Sequence, residues 1–140
     1  MKILAVDLGM VRTGLAISDV TEFLASPIGM VTERHLDRLV ERVTAVAAEQ
    51  HAEMIVVGHP KNMDGTRGES AQRAEQFAED LKVATGLSVV LWDERMTTVT
   101  AISYLNETDV RGKKRKAVVD TVAATVILQD YLEYRRLHRG

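Results

Sequence analysis

Three short, nearly unbroken apolar runs, at residues 3–6, 54–57 and 87–92, constrain this chain more than anything else in it. Runs of that length without polar alternation belong to strands covered on both faces, as in a sheet flanked by helices. The covering helices are legible as well. Between residues 34 and 50, Leu36, Leu39, Val40, Val43, Val46 and Ala47 recur at the three- and four-residue spacing of an amphipathic helix, and Ala71, Ala74, Ala78 and Leu81 repeat the pattern. Gly9 and Gly14 place a hairpin after the first strand, with the second strand ending near Asp19 and a third expected after Pro27, at residues 28–31.

Thr66 and Glu69 have the spacing of a capping box, and Gly86 is placed to stop the helix that follows. Further on, Thr97 or Thr98 is expected to cap a short helix through Leu105, residues 111–116 to form a basic connector, and residues 117–134 the last helix. The order of three strands, helix, strand, helix, strand, helices predicts an α/β domain, residues 1–140, with a mixed five-stranded sheet flanked by helices.

Absences narrow the chemistry. The chain has no cysteine, which excludes disulfides and thiolate metal sites, and its four histidines show no zinc-ligand spacing. The first apolar run is broken at Asp7, too early for a signal peptide, and no stretch reaches membrane-spanning length, so a cytoplasmic protein without membrane partners is expected. A net charge of −2 does not advertise a polyanion binder, so nucleic-acid contacts must rest on local patches.

Three acids stand where solubility gives them no reason to stand. Asp7 closes an apolar strand, Glu94 follows the end of another, and Asp120 is the sole charged residue between Lys116 and Asp130. A buried carboxylate costs several kcal/mol unless a cation or strong donors accompany it. Magnesium or manganese suits such a set, because these ions take oxygen ligands and bridge to phosphate oxygens. Each acid also has a structural reading: Asp7 as the cap of a turn before Gly9, Glu94 as a partner of Arg95, Asp120 as a complement to its helix dipole. Their joint occurrence favours a metal site.

These segments resemble the YqgF/RuvX family, described as Holliday junction resolvases and as nucleases maturing the precursor of 16S ribosomal RNA. Asp7-Leu8-Gly9 with Arg12, Gly14, Ala16, Ser18 and Asp19 is similar to the family's first motif, and Gly58-His59-Pro60 with Met63-Asp64-Gly65 to its second. Asp93-Glu94-Arg95 with Thr97, Thr98 and Ala101 resembles the third, and Asp120 with Ala123, Ala124, Ile127, Leu128 and Gln129 the fourth. The resemblance spans nearly the whole chain. It implies a ribonuclease H-like fold and a metal-dependent phosphodiester hydrolase, with Asp7, Glu94 and Asp120 as the metal-binding catalytic set. Glu94 is taken over its neighbour Asp93, a choice between adjacent residues that leave a strand end in different directions. His59 stands where a leucine or other apolar residue is expected, and is read as an exposed loop side chain rather than a catalytic group.

Arg111, Lys113, Lys114, Arg115 and Lys116 concentrate positive charge just before the helix of Asp120, where a phosphate backbone would be tracked by counterion release. Arg12 and Arg95 adjoin the acids and either contact phosphate or orient a carboxylate. Arg34, Arg38 and Arg42 are interleaved with Glu33, Asp37 and Glu41 and form a solvated face, while Arg135, Arg136 and Arg139 extend the basic surface or end a polar tail. The expected partner is nucleic acid, precursor ribosomal RNA first and branched DNA second. Rival readings are a non-catalytic RNA- or ribosome-binding module and an actin/Hsp70-like nucleotide binder; the latter closes two lobes around its ligand where 140 residues hold one. The sequence leaves a homodimer open.

Overall fold

The computed structural model describes residues 1–62, 64–94 and 112–138, with residues 112–122 described as backbone alone. The three apolar runs become β1 (Ile3–Asp7), β4 (Met54–His59) and β5 (Ser88–Asp93), and the hairpin supplies β2 (Arg12–Ser18), followed by β3 (Ala25–Thr32). They lie in the order β3-β2-β1-β4-β5. The β1–β2 and β2–β3 pairs are antiparallel, and β1–β4 and β4–β5 are parallel, so the expected mixed sheet of five strands is present. Parallel pairing fits the sequence, since β1 and β4 are the strands without alternation.

Helix α1 (Leu36–Glu49) and helix α2 (Glu69–Thr85) cover one face, and helix α3 (Gly112–His138) covers the other. Alternate strand residues divide accordingly. Leu4, Val6, Leu15, Ile55 and Val57 pack with Leu39, Val43, Phe77 and Leu81 on the α1/α2 side. Ile3, Ala5, Ala16, Met54 and Val56 pack with Ala124, Ile127, Leu128 and Leu132 on the α3 side. Each fully buried leucine, isoleucine or phenylalanine contributes about 1.5–3 kcal/mol, so both faces hold the sheet in place. Gly86 ends α2 with a φ of 70°, a left-handed conformation that glycine adopts without a side-chain penalty. Among the described residues no helix is long and apolar enough to cross a membrane.

Four local expectations are corrected. β3 begins before Pro27 rather than after it: Pro27 lies within the strand opposite Ala16, where an edge strand tolerates a missing N–H. Thr66 does not cap α2, whose N-cap is Gly68 without a side-chain bond; its hydroxyl instead bonds Asp64 Oδ1 at 2.7 Å and closes the preceding loop. Lys113, Lys114, Arg115 and Lys116 are not a connector, because α3 already runs from Gly112, in keeping with the good helix propensity of Lys and Arg. Arg135 and Arg136 lie within α3 rather than in a frayed tail, and Arg136 stays exposed. Arg135 Nε donates to Glu22 Oε1 at 2.7 Å, and the Arg136 guanidinium lies 5.1 Å from the centre of the Phe23 ring. Residues 97–105, Arg111 and Arg139 lie outside the described residues.

The same tie explains part of the first and fourth motifs. Asp19 Oδ1 accepts from the backbone N–H of Phe23 and Leu24, and these bonds hold its carboxyl well below the usual carboxylate range. Ser18 Oγ accepts from the N–H of Ile3 at 2.8 Å, and Gln129 bridges Phe23 O and the N–H of Ala25. These residues build the turn between β2 and β3 and dock it on α3.

Candidate active site

Strand alternation decides which acids meet. Asp7 follows Ile3 and Ala5 in phase and therefore belongs to the α3 side of the sheet. On β5, Val90 and Trp92 pack on that same side, so Glu94, two residues beyond Trp92, continues their phase while Asp93 falls in the other. The Glu94 carboxyl is hydrogen-bonded to Asp7, so the structure brings Glu94, not Asp93, to the first acid.

The pair is electrostatically unbalanced. Burial pushes the Glu94 carboxyl up to about 9, and the hydrogen bond to Asp7 and the charges of Asp7 and Asp93 push the same way. Burial also raises Asp7, with the Glu94 bond acting against it. Two carboxyls this close in a partly desolvated place cannot both ionise without help, so they share a proton that Glu94 carries.

Gly58 makes the approach possible. It lies on β4 between the two acids, opposite Trp92, and a Cβ there would stand 2.8 Å from Glu94 Cδ, 2.9 Å from Glu94 Oε1 and 2.9 Å from Ile127 Cδ1. Any side chain would push the Glu94 carboxyl off Asp7. Gly58→Ala is therefore expected to lower cleavage about a hundredfold while costing about 1–3 kcal/mol of stability, because the displaced atoms are the ends of flexible side chains. Equal activity in variant and parent in a cleavage time course would disconnect Gly58 from the site.

The turn after Asp7 is equally constrained. A Cβ on Gly9 would lie 1.9 Å from the carbonyl oxygen of Arg12, and the N–H of Gly9 donates to Thr13 Oγ1 at 3.4 Å. From α2, Arg73 Nη1 donates to the Gly9 carbonyl at 2.8 Å, tying this turn to the helix on the far side of the sheet.

His59 departs from expectation. It is the last residue of β4, it is buried, and its Nε2 lies 2.6 Å from Glu75 Oε2 on α2. Strand phase turns it from Glu94, towards the α1/α2 side. The same Glu75 oxygen takes Arg67 Nε at 3.4 Å.

Of the other predicted residues, Arg12 opens β2 and is half-buried. Asp120 lies in α3 two turns before Ile127, and Lys113, Lys114, Arg115 and Lys116 occupy its first turns; their side chains fall outside the description, as does Arg95 altogether. Among the described residues no group of three His, Cys, Asp or Glu gathers at metal-holding distance; Asp7 and Glu94 supply two. Their chemistry fits a hard divalent cation, which would take the place of the shared proton and relieve the repulsion between them. Arg73 and Glu75 escaped sequence reasoning, as did the role of Gly58, which the second motif contains. A glycine inside an apolar strand was a usable signal for Gly58, since it marks a close approach; the other two carry none.

Comparison with known proteins agrees with this geometry. The family model described as "RuvX: Holliday junction resolvase" matches residues 1–134. The chain belongs to the RuvX family. Its relatives include a protein of Lachnospira eligens, 42% identical over 139 residues, covering 97% of this chain and 99% of its own. Another, from Geobacillus kaustophilus, is 44% identical over 139 residues, covering 97% and 100%. Both are named "Putative pre-16S rRNA nuclease".

Among solved structures, RuvC of Thermus thermophilus in complex with a Holliday junction superposes with a TM-score of 0.64 at 14% identity, covering 99% of this chain and 97% of that one. The fowlpox virus Holliday junction resolvase gives 0.56 at 15% identity, covering 96% and 99%. At such identities the likeness concerns the fold, and it is the ribonuclease H-like fold that the resemblance of this RuvX-family chain's four motifs implied.

Proposed function

We propose that this protein is a nuclease that hydrolyses phosphodiester bonds, acting in the maturation of precursor 16S ribosomal RNA. The observation that carries the reading is the Asp7–Glu94 pair: two carboxyls from separate strand ends, held together over a glycine, with burial and mutual repulsion pushing the Glu94 carboxyl up to about 9. Family membership and the names of its relatives point to the same reaction. A four-way DNA junction is the second substrate to consider, on the family's description.

In this reading Asp7, Glu94 and Asp120 are the catalytic set and hold magnesium, or manganese in its place. When bound, the ion would polarise the scissile phosphate and lower the pKa of an attacking water. The chain's own contribution is positional. The sheet fixes Asp7, Gly58 keeps the Glu94 carboxyl beside it, and Asp120 belongs to α3, the helix that packs on that face of the sheet. Arg12, Arg95, Lys113, Lys114, Arg115 and Lys116 contact the phosphate backbone on either side of the reacting bond. The protein works in the cytoplasm as one domain.

The test is to incubate the protein with end-labelled precursor 16S RNA and with a synthetic four-way DNA junction, each with magnesium, manganese or chelator. Metal-dependent cleavage that disappears in Asp7→Asn is expected, by at least about a thousandfold, the scale on which removal of one charge-stabilising group acts. Binding without cleavage under every condition would replace the nuclease by a binding module.

A further inference from the structure

We propose that Arg67, on the loop between β4 and α2, is a phosphate-binding residue, held in place by Glu75 and gripping the nucleic-acid strand where it crosses from the acid pair to the α1/α2 side of the sheet. The inference rests on the nuclease reading and adds to it a contact on the opposite flank from the basic start of α3.

The site is at the carboxyl end of β4, beside the acids but on the other face. His59 closes β4 opposite Asp93, one residue beyond Gly58, and its Nε2 meets Glu75 Oε2 at 2.6 Å. Arg67 Nε meets the same oxygen at 3.4 Å, while 57% of the Arg67 side chain stays exposed. A carboxylate on Nε leaves the two Nη groups of the guanidinium outside that contact, and such a planar fork matches phosphate oxygens. A freely moving surface arginine would lose more rotamer freedom on binding than one already fixed along its stem.

The loop behind it is built rather than slack. Asn62 N–H donates to Thr66 O at 2.9 Å, Gly65 N–H to Asn62 O at 2.8 Å, and Asn62 Nδ2 to Thr66 Oγ1 at 2.9 Å. Asp64 Oδ1 is occupied by the N–H and hydroxyl of Thr66. Gln72 Nε2 reaches Arg67 O at 3.4 Å, so the residue is fixed at its backbone as well. Arg73, on the adjoining turn of α2, holds the Gly9 carbonyl beside Asp7. The same stretch of α2 thus positions the turn after the first acid and the exposed guanidinium, which keeps the two in fixed register.

Charge balance sharpens the claim. Lys61, Arg67 and Arg73 are offset locally by Asp64, Glu69 and Glu75, so this is no diffuse basic patch. One oriented cation should therefore account for one phosphate contact.

The experiment measures binding of the full chain to fluorescent precursor RNA and to a four-way DNA junction by anisotropy, in chelator, across a salt titration. Parent, Arg67→Gln, Glu75→Gln and, as a remote control on α1, Arg38→Gln are compared after thermal melts confirm folding. Arg67→Gln is expected to weaken binding about fivefold on both polymers and to reduce the slope of log K against log salt by about 1, as loss of one phosphate contact does. Glu75→Gln should weaken binding less, and in cleavage assays raise KM several-fold more than it lowers kcat. Arg38→Gln should leave the slope alone. An unchanged affinity and slope in Arg67→Gln, with a parent that binds, overturns this inference while sparing the nuclease; a parent that binds neither polymer overturns both.

Discussion

Glu94→Gln is expected to make the metal-free protein more stable and the enzyme at least about a thousandfold slower. The two effects share one cause. In the folded chain the Glu94 carboxyl titrates near 9, whereas in the unfolded chain it returns to its ordinary value near 4.5. The folded state therefore keeps a proton that the unfolded state gives up as pH rises. The stability this supplies is complete below about pH 4.5 and is lost progressively as pH climbs towards 9. In chelator, the melting temperature of the parent should fall between pH 5 and 9, while Glu94→Gln, which never ionises, should escape that part of the decline and melt about 5 °C or more higher at pH 8. Asp19, Glu22 and Glu33 are shifted downward, so their contributions vanish at acid pH, outside this window. Magnesium at pH 8 should raise the parent's melting temperature and leave the variant's nearly unmoved. Parallel pH profiles for the two proteins would mean that Glu94 carries no such strain.

Gly9→Ala should be the most damaging single methyl in the molecule. At Gly58 an added carbon meets the ends of side chains that swing aside; at Gly9 it meets the Arg12 carbonyl at 1.9 Å, a backbone atom held in the hairpin. The turn between β1 and β2 must open, and the opening pulls on Asp7 at one end and on the Arg73 bond at the other. A loss of at least about 3 kcal/mol is expected, equivalent to roughly 10 °C for a domain of this size, together with loss of cleavage. A melting temperature within a degree or two of the parent would show that the turn has slack.

Much of this arrangement was legible before any coordinates, and the reasons differ by element. β1, β4 and α1 are specified by local pattern: unbroken apolar runs and a clean helical stripe leave few alternatives. Sequence alone places β3 after Pro27, since proline normally bars a central strand, and only the sheet order reveals that β3 is an edge. A run of like charges suggests a connector and delays the expected start of α3, although each of those residues is a good helix former. The third motif offered two adjacent acids, and choosing between them needed the phase of β5, which is set by Val90 and Trp92 against α3. His59 reads as a loop residue in the sequence because Glu75, its partner, is distant along the chain and carries no motif. Contacts such as Arg73 to Gly9 join helix and turn across 64 positions and leave no trace in local spacing.

The alanines beneath α3 have a consequence of their own. Ala5, Ala16 and Ala124 are fully buried between that helix and the sheet, small residues among the larger side chains of that layer. Because α3 also bears Asp120, the thickness of that layer would, in the proposed site, act as a spacer that gauges how far this acid stands from Asp7 and Glu94. Widening it by two methyl groups, as Ala16→Val would, should tilt the whole rod away from the strand ends without altering one ligand. The catalytic gap of this enzyme would then be tunable from its interior, by volume alone, and separately from whatever its loops do to choose a substrate.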